Sequence, residues 1–238
     1  MGKEAWKDII IKALAGNKFS FTSRNVVNTK TSKIAHHILS IALKGENGIT
    51  YSYGQFMASA NQLGLSSKIY QNILNMMFKT PNKELKGSTC SLSLSYEYLS
   101  LEETYDELSA LFKYRAFALT FKLIVELPDK LVSKNSIQVK LYKALFEKYN
   151  IEIGIYEFIG ESGDYTYLKD LRPAYIKAES NFFVSQSNEA LFALRLITDT
   201  VGISLIATSV KDMSTVKTLQ EKDIFIIQGE ATKMIKLL

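Results

Sequence analysis

Charged and polar side chains lie at the ends of several apolar runs in the second half of the chain. These are Glu126, the adjacent Tyr156 and Glu157, Lys177 and Gln228. A lysine near a strand end is solvated or ion-paired, or serves as a Schiff-base nucleophile, although no motif supports that chemistry here. Glu126 either marks a strand that leaves the sheet or has a chemical role, and Gln228 begins a turn or belongs to a site. Taken singly, none of these residues defines a function.

Two histidines and one cysteine are the remaining candidates for metal binding or nucleophilic catalysis. His36 and His37 are adjacent, and side chains alternate across a strand, so only one of them can face the interior of a sheet. No further Cys or His lies nearby in the sequence, which argues against a zinc site. Cys90 is predicted to be a small buried hydrophobic residue.

The elements that would position these residues follow from the apolar period, which switches repeatedly between strand-like and helix-like. Strands are predicted at Phe19–Val27, Ile34–Leu43, Cys90–Ser95, Phe117–Leu127, Ile151–Phe158, Ala174–Lys177, Ile203–Val210 and Phe225–Gln228. Helices are predicted at Trp6–Leu14, Phe56–Leu63, Ile69–Phe78, Leu101–Phe112, Ile137–Tyr149, Glu189–Val201 and near Val216–Glu221. This alternation predicts an α/β protein, a TIM-barrel-like (β/α)8 barrel. The candidate residues fall near the C-terminal strand ends, where the active sites of such barrels lie.

Composition restricts the function classes. The net charge of +5 comes from lysines and arginines scattered among 24 acids, so the sequence predicts no nucleic-acid partner. A single cysteine excludes an internal disulfide and fits a reducing compartment. No apolar run approaches the ~20 residues of a membrane-spanning helix. We therefore expect no direct membrane insertion and a cytoplasmic location, either free or as the cytoplasmic part of a membrane-anchored protein.

An ordered set of short motifs identifies a family resemblance. The motifs are residues 124–129, Tyr156-Glu157-Phe158, residues 175–179, residues 207–210 and Gln228-Gly229. In this order and spacing the set resembles the EAL domain, the family that hydrolyses the bacterial second messenger cyclic di-GMP. The resemblance extends from about Trp6 to Gly229, and it implies one EAL-type (β/α)8 barrel over residues 1–238, with excision from a larger signalling protein as an open alternative.

The resemblance also identifies substitutions at the family's metal ligands. Family enzymes bind two divalent cations that activate the attacking water. The acid that names the family falls at Ile38, its amide ligand at Ser93, its first paired aspartate at Tyr156 and its seventh-strand acid at Thr208. Glu126, Lys177 and Gln228 are retained, and Glu157 replaces the second aspartate. We therefore expect a degenerate, inactive phosphodiesterase without a bound metal, with Mg²⁺ or Mn²⁺ relevant only to residual activity.

Binding of the nucleotide is a separate question from its hydrolysis. The arginine that the family places after its naming acid falls at Ala42, a loss that weakens binding. Arg24 stands where the family has a ligand-facing glutamine, so it either contacts a phosphate or is a solvated residue. Tyr156 would offer an aromatic ring where a metal is lost. The predicted ligand-binding residues are Arg24, Glu126, Tyr156, Lys177 and Gln228.

Three functions remain open at this point. The domain is a cyclic di-GMP receptor that signals to a protein partner or a neighbouring GGDEF-type domain. Alternatively, it is a nucleotide-independent protein-interaction module, or a weakly active phosphodiesterase with a rearranged metal site. The resemblance makes a homodimer plausible in each case.

Overall fold

Alternating strands and amphipathic helices build the fold, which we describe from a computed structural model covering residues 2–46, 48–79, 83–160 and 165–237. The strands are β1 Phe19–Asn28, β2 Lys33–Lys44, β3 Thr50–Ser52, β4 Thr89–Ser93, β5 Lys122–Pro128, β6 Glu152–Tyr156, β7 Tyr175–Glu179, β8 Ser204–Thr208 and β9 Ile226–Ile227. The helices are α1 Lys3–Ala15, α2 Tyr53–Gln62, α3 Ser66–Lys79, α4 Tyr96–Leu99, α5 Thr104–Arg115, α6 Asp129–Lys134, α7 Ser136–Glu147, α8 Thr166–Leu171, α9 Ser180–Ser185, α10 Asn188–Val201 and α11 Met213–Glu221. Short 3₁₀ turns lie at Lys83–Leu85, Ala116–Ala118 and Glu230–Met234.

Eight of these strands close into a barrel. The order around it is β1, β9, β8, β7, β6, β5, β4 and β2, and β2 pairs again with β1. All neighbours are parallel except β1, which runs antiparallel to both β2 and β9. The short β3 pairs with the outer edge of β2 and leads directly into α2. The predicted (β/α)8 barrel is therefore confirmed, with one reversed strand.

Two apolar cores hold the barrel. The larger one lies between the sheet and the surrounding helices, and it includes aromatic residues such as Phe56, Phe112 and Phe146. The smaller one fills the barrel interior with Val26, Ile38, Ile124, Tyr175 and Ile206. Because this inner core closes the barrel below the C-terminal strand ends, the space above it forms a cavity rather than a pore.

The strand prediction was wrong at one boundary. Strand β5 begins at Lys122 and not at Phe117, because residues 116–118 form a 3₁₀ turn in which the Phe117 side chain is 85% exposed. Strand β3, with three residues, and helices α4, α6, α8 and α9, with four to six residues each, were not predicted from the sequence. In the part of the chain that the structure describes, no helix is long and apolar enough to cross a membrane.

Candidate functional site

A cavity of about 720 Å³ opens at the C-terminal ends of the barrel strands. It brings together every residue that the sequence analysis proposed for the site, namely Arg24, Glu126, Tyr156, Glu157, Lys177 and Gln228. Ile38, Ser93, Tyr156 and Thr208, the positions that the resemblance assigns to replaced metal ligands, also line this cavity. Its volume falls in the range of small-molecule binding sites.

Glu126 lies at the base of the cavity and accepts hydrogen bonds from three donors. Its Oε1 accepts hydrogen bonds from Lys177 Nζ, with which it forms an ion pair, and from the Tyr175 hydroxyl at 2.6 Å. Its Oε2 accepts a hydrogen bond from Ser93 Oγ at 2.6 Å. The register of β4 and β5 places Ser93 directly beside Glu126. Both members of the ion pair are buried.

The environment of Glu126 keeps it ionised. Burial alone raises the pKa of a carboxyl group, because a low-dielectric interior disfavours the charged form. At Glu126 the charge of Lys177 and the hydrogen bonds from Lys177, Ser93 and Tyr175 outweigh burial and lower the pKa to about 2. Glu126 is therefore a carboxylate whose charge is already neutralised inside the protein.

A glycine on the intervening strand makes this network possible. Strand β6 separates β5 from β7, and its Gly154 pairs in register with both Glu126 and Tyr175. A Cβ atom on Gly154 would lie 2.5 Å from Cε2 of the Tyr175 ring. Only a residue without a side chain lets Tyr175 occupy this place and reach Glu126.

His36 lies beneath the network, inside the barrel. Its ring stacks on Tyr175 with the centroids 4.9 Å apart, whereas Nδ1 of His37 lies 3.1 Å from the Asn25 amide oxygen. The two histidines therefore point in opposite directions, as the strand alternation predicts. Burial and the nearby charge of Lys177 lower the pKa of His36 to about 3. His36 is thus neutral and belongs to the packed interior.

At three of the positions that the resemblance assigns to replaced metal ligands, the side chains contact other parts of the protein. Ile38 packs in the inner core, the Tyr156 hydroxyl donates to the carbonyl of Leu94 at 3.1 Å, and Thr208 Oγ1 donates to the carbonyl of Ala178 at 3.2 Å. Among the described residues, no group of three His, Cys, Asp or Glu side chains could hold a metal ion. The donor set left at the base of the cavity does not fit the two-cation site that the family implies.

Charges at the cavity mouth are divided between two sides. On the β1–β2 side, Arg24 is exposed and donates a hydrogen bond from Nη2 to Ser40 Oγ at 3.0 Å. On the β6–β7 side lie Glu157 and Glu179. Partial burial and the neighbouring charges of Glu97 and Glu179 raise the pKa of Glu157. The mouth is therefore cationic at one end and anionic at the other.

Tyr175 and Glu179 were missed as site residues, although the sequence contains a signal for them. Residues two apart on a strand share a face, so Tyr175, Lys177 and Glu179 must all point toward the barrel axis if Lys177 does.

The position of Gln228 depends on Gly229, whose φ is 147° and whose missing side chain avoids a clash with the backbone of Val210.

The fold and the site define an EAL-type barrel, and the sequence matches the EAL domain family over residues 8–233. The chain therefore belongs to the EAL domain family, a family of cyclic di-GMP phosphodiesterases. A comparison with curated proteins gives no match.

Solved structures share this fold at low sequence identity. The "Vibrio cholerae LapD S helix-GGDEF-EAL (apo)" structure is 18% identical with a TM-score of 0.83, and the match covers 98% of this chain and 58% of that one. The EAL domain of Xanthomonas citri FimX in complex with cyclic di-GMP is 17% identical with a TM-score of 0.76, covering 96% and 92%. The Pseudomonas aeruginosa FimX EAL domain bound to cyclic di-GMP is 21% identical with a TM-score of 0.73, covering 94% and 93%. This chain thus spans a little over half the length of the LapD structure.

Proposed function

We propose that this domain binds cyclic di-GMP in the cavity without hydrolysing it, and that the bound state is passed to a protein partner or an adjoining signalling domain. Two structures with the same fold, the FimX EAL domains, contain cyclic di-GMP. The cavity lies at the strand ends where barrels of this type bind their ligands, and it is large enough for a small molecule.

The buried ion pair between Glu126 and Lys177 is the observation that carries the non-catalytic part of the proposal. A two-metal hydrolase needs carboxylates that are free to ligate cations, which then activate water and stabilise the developing charge. Here the Glu126 carboxylate is already bonded to Lys177, Tyr175 and Ser93. The Lys177 ammonium group already neutralises this carboxylate, so a cation would have to compete with it, and Ile38 would offer the cation no ligand atom.

Arg24 is the cation best placed for a phosphate. The charge of Lys177 is neutralised by Glu126, whereas within the described part of the chain Arg24 forms only a neutral side-chain hydrogen bond, with Ser40. A guanidinium group binds a phosphate through a planar pair of donors, and partial enclosure by the cavity strengthens such a bond. The half-buried ring of Tyr156 lines the cavity between the two charged ends.

Thermal unfolding with and without cyclic di-GMP tests this function. A ligand that binds only the folded state at about a hundred times its Kd stabilises the protein by about 2.7 kcal/mol, which raises Tm measurably. We expect Arg24→Ala to remove most of the shift and a chelator to leave it intact. Lys140→Ala removes one positive charge from the outer surface of α7 and serves as the control. An unchanged Tm at millimolar nucleotide would reject the receptor function.

Exposed apolar pairs favour a second candidate, a nucleotide-independent interaction module. Ile137 and Leu141 are exposed one turn apart on α7, and Phe192 and Leu196 are exposed one turn apart on α10. Exposed apolar patches of this kind mark protein-interaction sites. This candidate predicts no Tm shift with cyclic di-GMP, so the same experiment separates the two functions.

A further inference from the structure

A groove of about 480 Å³ lies at the N-terminal ends of β5 and β6, at the opposite end of the barrel from the cavity. It is lined by residues from two segments, 116–123 and 148–151, and its larger apolar side chains are Phe117, Leu119, Phe121, Tyr149 and Ile151. Phe117 is 85% exposed, and the nearby Tyr114 is 67% exposed. Aromatic side chains are enriched in protein interfaces, so two exposed ones three residues apart indicate such an interface.

The backbone and the packing hold this groove, the basal groove, in shape. The ring of Tyr149 packs against the buried Phe112 with the centroids 6.0 Å apart. The N–H of Ile151 donates to the carbonyl of Phe146 at 3.0 Å, and the N–H of Leu119 donates to the carbonyl of Ala116 at 3.2 Å. The groove is therefore formed before any partner binds, which limits the ordering cost of binding.

Cations surround the basal groove. Lys122 and Lys148 line it, and Arg115 directly precedes its 3₁₀ turn. Lys122 forms an ion pair with Glu152, but within the described part of the chain neither Arg115 nor Lys148 forms one. Both lie where α5 and α7 end, so they also offset the negative ends of these helices. That role leaves their charges facing solvent and does not account for the exposed aromatic side chains beside them.

The strands beneath the groove decide which form of partner fits it. Strand β5 is paired with β4 and β6, and β6 is paired with β5 and β7, so the groove offers no free strand edge to an extended peptide. An α-helix satisfies its own backbone and needs only a complementary groove for its side chains. A concave surface also suits a helix better than it suits a flat lipid bilayer.

We propose that the basal groove binds an acidic amphipathic α-helix of a partner protein. The apolar residues of that helix, spaced i, i+3, i+4 and i+7, enter between Phe117 and Tyr149. Its flanking Asp or Glu residues face Arg115 and Lys148, which gives the interface complementary charge. Because the groove lies away from the cavity, the inference does not depend on the binding of cyclic di-GMP.

Fluorescence anisotropy with a labelled helical peptide tests this surface. The peptide has about 18 residues, with leucine at the four spaced positions and glutamate and alanine at the others. We expect saturable binding that Phe117→Ala weakens about ten-fold or more, because an aromatic anchor is lost. Lys148→Glu should weaken it about five- to ten-fold, because it places a like charge against the peptide. The same peptide with lysine in place of glutamate should bind at least ten-fold more weakly.

Two matched substitutions outside the groove serve as controls, and neither should change the affinity. Phe192→Ala truncates another largely exposed phenylalanine, on α10, and Lys140→Glu makes the same charge change elsewhere on α7. Phe117 and Lys148 are exposed, so their variants should fold normally, which the unfolding temperature checks.

Three results would overturn the proposal. The first is no saturable binding at about 1 mM peptide, and the second is equal affinity for the glutamate and lysine peptides. The third is retention of the protein on phosphatidylserine vesicles, lost in Phe117→Ala, without any binding of the peptide, which would make the groove a membrane-contact surface.

Discussion

Removing Lys177 should leave a buried charge without a partner. In Lys177→Met the aliphatic stem is kept, but the Glu126 carboxylate retains only the hydrogen bonds from Tyr175 and Ser93. Breaking a buried ion pair from one side typically costs 3–5 kcal/mol.

The sign of the pH dependence makes this prediction specific. In the wild-type protein the folded-state pKa of Glu126 is lowered, so its contribution is present above pH 4.5 and is lost as the pH falls toward 2. In Lys177→Met burial dominates and raises the pKa of Glu126. The variant is therefore destabilised at neutral pH by an unpaired buried carboxylate, and this destabilisation disappears as the carboxyl group becomes protonated. The difference between the two proteins should therefore be largest at pH 7 and should shrink near pH 4.

Urea unfolding at pH 7 and pH 4 measures this difference. Lys122→Met is the control, because Lys122 forms an ion pair with Glu152 at 2.6 Å but both side chains are about half exposed. Exposed pairs contribute at most about 1 kcal/mol. The double variant Glu126→Gln/Lys177→Met should be more stable than Lys177→Met alone. A loss below 1 kcal/mol for Lys177→Met at pH 7, or a loss independent of pH, would refute the buried ion pair.

Three further predictions follow from the same network. With Mg²⁺ or Mn²⁺ the protein should not convert cyclic di-GMP to the linear dinucleotide; metal-dependent turnover that Glu126→Gln abolishes, measured by chromatography, would show a working metal site. Because the pKa of His36 is lowered, the imidazole of the unfolded chain takes up a proton below pH 6.5, whereas that of the folded chain does so only near pH 3. The free energy of unfolding should therefore decrease as the pH falls from 6.5 to 3, and His36→Phe should flatten this part of the profile measured by urea unfolding. An unchanged slope in the variant would contradict the prediction. Gly154→Ala should lower the free energy of unfolding by about 1–3 kcal/mol, because Tyr175 must move away from Glu126. Gly54→Ala is the control: a Cβ there meets nothing within 4 Å, so the variant should be as stable as the wild-type protein or more stable in thermal unfolding. Equal effects of the two substitutions would count against the role of Gly154.

Much of the barrel could be predicted because its signals are local. Long helices such as α3 and α10 have a clear apolar period, and the strands around Glu126 and Lys177 are short, almost continuously buried runs. Helices of four to six residues, such as α6, are too short to show a period. The antiparallel direction of β1 relative to β2 follows from the four residues that join them, because a parallel connection needs a dozen or more, but its pairing with β9, which is remote in the sequence, is contained in no local pattern.

The candidate site was predictable as a set of positions but not as a set of contacts. Strand ends placed Glu126, Lys177 and Gln228 near one another, because a closed barrel gathers such ends on one face. The sequence did not show whether Lys177 is a free cation or an ion-pair partner. Likewise, Tyr175 reaches Glu126 across β6 only because Gly154 leaves room for its ring, and no local pattern contains that contact.

Equilibrium dialysis against cyclic di-GMP, run once with a chelator and once with Mg²⁺, tests the central claim most directly. The retained nucleotide is then analysed by chromatography. We predict saturable binding that is equal in both conditions, at least ten-fold weaker in Arg24→Ala, and recovery of the intact cyclic nucleotide. Absence of retained nucleotide, or recovery of the linear dinucleotide in the Mg²⁺ sample, would contradict a receptor that binds without hydrolysis.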